Sequence, residues 1–258
     1  MTLLISWVGV DSRAPSSIYL ASDSRITWGE KAKFDYCRKV FAFRNHPGII
    51  GYCGDVLFPS IVLSQIVEIA DSGLLFNKKT NCKQRFEAIK EKFIQLFFKY
   101  PYDTDNIISN KIQILYSAKE KNDNSIFFCH LIEWEKGFGW NGKRVELPVK
   151  SDVLLVKGSG EEEFRLNYER YKNSPNKSTS RNIFHCFCDT LFNINDTNCG
   201  GAPQLVGIYR KPNTNALNFG IIKNRKRYLL GAEIDNLTNF STLNGGMSIL
   251  NYVMEIQC

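Results

Sequence analysis

The chain has 258 residues, 43% of them hydrophobic and 23% charged, with a net charge of +7. That composition builds a sizeable folded core, read as one domain over 1–258, and excludes a disordered or low-complexity chain. The positive charge is spread thinly, which argues against a nucleic-acid partner. No apolar run is long enough to cross a membrane, and the N-terminus lacks the basic segment of a secretory signal. Eight cysteines without a C-x-x-C pair suit a reducing cytoplasm and exclude a zinc ribbon.

Residues 3–10 and 17–23 read as two strands joined by the turn residues Asp11-Ser-Arg-Ala-Pro-Ser16. Further strands are expected at 38–44 and 48–53. A helix then starts at Asp55, with Pro59 in its first turn, where proline is tolerated. Leu57, Phe58, Ile61, Val62, Ile66, Val67 and Ile69 are apolar nearly all round, which predicts a buried helix. The second helix, 83–99, keeps one apolar stripe through Phe86, Ile89, Phe93, Leu96, Phe97 and Tyr100. Strands are expected at 111–118, 125–134, 144–149 and 152–157. Glu161-Glu-Glu163 opens a third helix with acids at its positive end, and Ser180 caps a fourth. Strands return at 203–210, 217–222 and 227–232, and the tail, 246–258, carries no clear pattern. The basic run Lys223-Asn-Arg-Lys-Arg227 falls between two of these strands and reads as a solvated hairpin turn. The order is strands, two helices, strands, two helices, strands. It suits an α+β fold in which two packed sheets carry a helix pair on each outer face, a four-layer αββα sandwich.

Two apparent motifs carry little. His46, His130 and His185 have no metal-ligand spacing, and no metal or other cofactor is implied. Gly137-Phe-Gly-Trp-Asn-Gly142 matches a dinucleotide fingerprint in letters only, because a strand-like segment rather than a helix follows it.

The informative constellation starts at Thr2. With Met1 removed, Thr2 offers a hydroxyl and a free α-amine, a nucleophile and base within one residue. At fixed distances follow Ser22-Asp-Ser-Arg-Ile-Thr-Trp-Gly29, Lys39-Val40, Gly51-Tyr-Cys-Gly54, Gly158-Ser-Gly160 and Asp196-Thr-Asn-Cys-Gly-Gly201. Taken in order, these resemble the proteasome β-subunit family of N-terminal nucleophile hydrolases, and within it the bacterial HslV-type peptidases. The lysine sixteen residues past Asp23 matches the family and favours it over small-molecule amidases, and the absence of a long segment before Thr2 matches the HslV pattern. Departures are a long hairpin between Thr2 and Asp23, a long segment between Gly54 and Ser159, and Cys199 where the family has serine.

The resemblance implies a threonine endopeptidase with Thr2, Asp23, Lys39, Ser159 and Asp196 as catalytic residues. Gly54, Cys199 and Gly200 would support the oxyanion and the amine. Ile26, Cys37, Phe41, Tyr52 and Val56 would line the pocket for the residue before the cleaved bond. It also implies a polypeptide substrate, a homo-oligomeric ring and a ring ATPase that unfolds substrates. Two alternatives stay open: a small-molecule amidase on the same fold, and an inactive proteasome-like scaffold subunit.

Overall fold

The apolar run after Thr2 is buried on both sides, and this places the N-terminus at the centre of the molecule. A computed structural model describes residues 2–77, 79–102, 111–121, 123, 126–235 and the strand backbone at 253–255. In chain order the first elements are β1 (Leu4–Val10), β2 (Pro15–Ser22), β3 (Ile26–Trp28), β4 (Ala32–Phe34), β5 (Val40–Ala42) and β6 (Gly48–Gly54). Helices α1 (Leu57–Asp71) and α2 (Cys82–Phe97) follow, then β7 (Lys111–Lys119), β8 (Phe127–Glu135), β9 (Gly139–Val145) and β10 (Asp152–Lys157). The chain continues through α3 (Glu161–Tyr171), α4 (Ser180–Asn193), β11 (Gln204–Tyr209), β12 (Leu217–Lys223), β13 (Lys226–Leu229), β14 (Ala232–Ile234) and β15 (Val253–Glu255).

The strands form two main sheets. One runs β10-β1-β2-β11-β12-β13-β14, with β15 added parallel to β12; the other runs β5-β6-β7-β8-β9. Leu4, Ile18, Leu20, Val40, Ile49, Leu115, Leu131 and Val206 fill the space between them. The opposite face of the first sheet, with Leu3, Ile5, Trp7 and Tyr19, packs on Phe164 of α3 and on Phe184 and Phe187 of α4. The outer face of the second packs Ile50, Tyr52 and Tyr116 on Phe58 of α1 and on Ile89 and Phe93 of α2. This is the αββα sandwich. The two-residue period of β1 sends successive side chains to different layers, so every position in it needs an apolar or satisfied neighbour. Among the described residues no helix is long and apolar enough to cross a membrane.

Local chemistry explains most element ends. Asn81 closes a reciprocal capping box with Gln84 at the start of α2. Thr179, one residue earlier than Ser180, caps α4 through the Asn182 N–H. Asn224 and Arg225 both take positive φ, 51° and 63°, giving the expected tight turn at the basic run.

Several elements differ from expectation. The strand placed at 144–149 lies at 139–145, so Gly139 and Gly142 are strand residues paired to β8. The 38–44 strand contracts to 40–42, because Lys39 turns its backbone N–H to Gln204. The strand at 227–232 breaks at Leu230 and Gly231, both of positive φ, into β13 and β14. The β3–β4 hairpin carries no apolar alternation and was not anticipated. Helix α1 is not buried all round: Leu57 and Ile61 stand 57% and 47% exposed, since the sheet and α2 cover only part of its circumference. Residues 246–252 and 256–258 lie outside the described residues.

Candidate active site

Two strand ends and three strand starts meet around Thr2. Thr2 precedes β1, Asp23 follows β2, Ser159 follows β10, and Gln204 opens β11, all in one sheet. Lys39 precedes β5 and reaches up from the other sheet. Thr2, Asp23 and Lys39 are each 0% exposed. Lys39 Nζ donates to Thr2 Oγ1 at 2.7 Å and to Asp23 Oδ1 at 2.9 Å.

A buried ion pair is stable only when its remaining hydrogen-bonding capacity is met. Asp23 Oδ1 also accepts from the Leu3 N–H at 3.2 Å, and Oδ2 accepts from the N–H groups of Arg25 at 3.1 Å and Gly200 at 3.2 Å. The carboxylate therefore ties together the start of β1, its own turn and the loop before β11. Gly200 spends its N–H on Asp23.

Ser159, Asp196 and Cys199 form a second group of side chains in mutual contact. Ser159 Oγ lies 3.7 Å from Cys199 Sγ, and the thiol donates to Asp196 Oδ2 at 3.4 Å. Burial, then the charge of Asp23, pushes the Cys199 thiol up to about 12, so it stays a protonated donor. Burial alone would raise the Asp196 carboxyl, but hydrogen bonds from Ser159, Asn198 and Cys199 outweigh it and hold it below the usual carboxylate value. A groove of about 500 Å³ opens beside this group, lined by Arg25, Lys33, Phe192, Asp196, Gly200 and Lys223.

Two glycines are dictated by close approach. Gly158 has φ of +101°, and a methyl group there would overlap the Thr2 carbonyl oxygen. Gly54 ends β6 with φ of +93°, and its methyl would overlap the Lys111 carbonyl oxygen.

The five pocket candidates occupy different depths. Phe41 and Tyr52 belong to the core under α1, 2% and 0% exposed, and Val56 packs against that core. Ile26 and Cys37 are half-buried. The Tyr52 hydroxyl donates to the Arg38 carbonyl at 3.2 Å and lies 3.5 Å from Cys37 Sγ. These partners occupy the hydroxyl.

Two structural contributors escaped the sequence. Gln204 is 0% exposed; its Nε2 donates to the carbonyls of Asp23 at 2.9 Å and Cys37 at 2.8 Å, and its Oε1 accepts from the Lys39 N–H at 3.0 Å. One amide thus fixes the backbone of both ionic partners. Nothing in Ala202-Pro-Gln-Leu-Val206 signals this role. Arg25 makes a bidentate pair with Asp35, at 2.7 and 2.9 Å, and donates to the carbonyls of Thr197 and Cys199. It clamps the 196–201 loop, and its place in the Ser22-Asp-Ser-Arg25 motif was the available signal. Among the described residues no three His, Cys, Asp or Glu side chains cluster to hold a metal ion.

No family model and no curated protein matches the sequence. The fold does match solved structures. A Pseudomonas aeruginosa Anbu, described as a helical assembly of the Anbu complex, superposes with a TM-score of 0.60 at 10% identity, covering 93% of this chain and 90% of that one. Anbu (ancestral beta-subunit) from Yersinia bercovieri gives 0.58 at 11% identity, covering 84% and 86%. Thiobacillus denitrificans BPH in complex with epoxomicin gives 0.50 at 12% identity, covering 81% and 100%. These likenesses establish a proteasome-like N-terminal nucleophile hydrolase fold. They overturn the HslV-type placement: these structural neighbours are Anbu and BPH chains, and no family model matches the sequence. The physical reason is that the spacing from Asp23 to Lys39 is set by how two sheets bring their strand ends together. It reports the fold rather than a lineage within it.

Proposed function

We propose that this chain is a threonine-type N-terminal nucleophile hydrolase that cleaves peptide bonds. The observation that carries the reading is the buried contact of Lys39 Nζ with Thr2 Oγ1 at 2.7 Å, backed by Asp23 at 2.9 Å. An ammonium held there favours negative charge developing on the hydroxyl oxygen.

The chemistry requires hydrolysis of the bond on the N-terminal side of Thr2, which frees its α-amine. That amine, with a reference pKa of about 8, is partly neutral near pH 7 and acts as the base. It takes the Oγ proton as Oγ attacks the scissile carbonyl carbon. The C–N bond breaks, the departing amine takes the proton, and an ester to Thr2 remains. Water, deprotonated by the α-amine, then hydrolyses the ester and restores the hydroxyl. Asp23 holds the Lys39 side chain in place. Ser159, Asp196 and the protonated Cys199 are assigned to the amine and the Gly54 N–H to the oxyanion, a role worth roughly 3 kcal/mol. Ile26, Cys37, Phe41, Tyr52 and Val56 form the acyl-side pocket. We further propose that the chain works as a self-assembled oligomer, which the helical assembly of the Pseudomonas aeruginosa Anbu complex supports.

A peptidyl epoxyketone such as epoxomicin is the test, because its adduct needs both a hydroxyl and a free α-amine on one residue. Intact mass and peptide mapping should place one adduct on Thr2, with nothing preceding it. Thr2→Ala should lose labelling and peptide turnover while folding and assembling normally; Thr2→Ser should keep part of both. Turnover that survives Thr2→Ala would overturn the reading.

A further inference from the structure

The chemistry above uses Lys39 and leaves a second lysine beside the nucleophile without a task. Lys157 ends β10 and pairs with Leu4 of β1, while Gly158 lies against the Thr2 carbonyl. This antiparallel register makes Lys157 a diagonal neighbour of Thr2, at a spacing of about 7–8 Å. Leu4 belongs to the core between the sheets, and cross-strand partners share a face. Thr2, two residues before Leu4, points the same way. The threonine hydroxyl and the Lys157 ammonium therefore enter the same space between the sheets.

Lys157 Nζ meets Glu133 Oε1 of β8 at 3.9 Å, and Lys143 of β9 meets Oε2 at 3.7 Å. Both contacts exceed hydrogen-bond length. Glu133 is fixed instead by Gln113 of β7, whose Nε2 donates to Oε1 at 2.6 Å, and the Cys53 thiol donates to Gln113 Oε1 at 3.4 Å. The carboxylate is thus anchored and the lysine only loosely tied, with two ammonium groups facing one carboxylate. The Lys157 and Glu133 side chains are 21% and 19% exposed, enough for a ligand to reach them and little enough for charge to count.

The sheet order β10-β1-β2-β11 puts Lys157 on one side of Thr2, and the end of β2 with Ile26 beyond it on the other. An extended peptide whose acyl residue turns toward Ile26 and Cys37 sends the fragment released as the new amine toward Lys157. We propose that Lys157, poised by Glu133 and Gln113, is a leaving-side subsite for a carboxylate, supplied by an acidic side chain after the cleaved bond or by the C-terminus of a short leaving fragment. This rests on the threonine-peptidase reading above.

The test uses internally quenched peptides identical on the acyl side. The leaving side carries Glu, Gln or Lys with an amidated C-terminus, or Gln with a free C-terminal carboxylate. In the wild type, kcat/KM should be about fivefold (~1 kcal/mol) higher for Glu than for Lys if the side chain is read. A free carboxylate should outrun its amide by a similar factor if the terminus is read. Lys157→Gln should remove the preference, Lys157→Arg should keep it, and high salt should shrink it. Equal rates across the wild-type panel, or an unchanged preference in Lys157→Gln, would overturn the subsite while epoxyketone labelling of Thr2 left the peptidase reading standing. Absence of both labelling and turnover in the wild type would overturn the peptidase reading and this subsite with it.

Discussion

Replacing Lys39 by methionine removes the ammonium and keeps most of the side-chain volume. Lys39 Nζ and Asp23 Oδ1 stand 2.9 Å apart, with both side chains 0% exposed. At an effective dielectric of about 20, two unit charges at that distance attract by about 6 kcal/mol. Deleting one member of a buried pair typically costs about 3–5 kcal/mol. Asp23 retains donors from Leu3, Arg25 and Gly200, so the lower end applies, about 3 kcal/mol. With a urea slope of about 3 kcal/mol/M the unfolding midpoint should fall by about 1 M. Asp23→Asn removes the opposing charge, so the double variant should be more stable than the summed single costs predict, by about 2 kcal/mol. Chemical unfolding of all four chains in a Thr2→Ala background keeps self-processing and turnover out of the comparison. Strict additivity, or a midpoint for Lys39→Met within about 0.2 M of the parent, would refute the idea that a tight buried ion pair sets the surroundings of Thr2.

Gln204→Leu strips three hydrogen bonds and leaves the buried carbonyls of Asp23 and Cys37 without this partner. A stability loss of about 3 kcal/mol and a steep drop in turnover should follow, and a near-neutral urea midpoint would count against its bridging role. Gly158→Ala forces a methyl into the Thr2 carbonyl, so Thr2 must shift; peptide turnover should fall by about 100-fold, and wild-type rates would show that the strand ends are looser than described. His130 stacks on Phe86 with ring centroids 4.0 Å apart, and burial, aided by Arg144, pushes its pKa down to about 4. It is neutral in the fold and protonates more readily when unfolded, so its contribution is intact above about pH 6.5 and lost as pH falls toward 4. Urea midpoints at pH 7 and pH 4.5 should therefore differ less in His130→Phe than in the parent; an equal fall in both would place the acid sensitivity elsewhere.

Sequence by itself determined what depends on near neighbours. The apolar runs of β1 and β2 with the turn residues between them, the three-and-four spacing of α2 and the tight turn at Asn224-Arg225 are set within a few residues, and they ordered the elements of the sandwich. The motifs at Thr2, Asp23, Lys39 and Ser159 were legible because each ends or begins a strand or helix, where turn chemistry leaves an unusual residue in view. The tertiary structure decided what lies across the gap between sheets. Gln204 is 165 positions from Lys39, in a run whose letters describe an ordinary strand start. Lys157 faces Glu133 only because β10 and β8 come from different sheets stacked at one offset. Leu57 and Ile61 look like core letters, yet they are exposed because one sheet and one helix cannot surround α1. Periodicity encodes which face of an element is apolar. The partner that covers that face, and the polar groups that meet at its edge, follow from packing two sheets together, and no local pattern carries that offset.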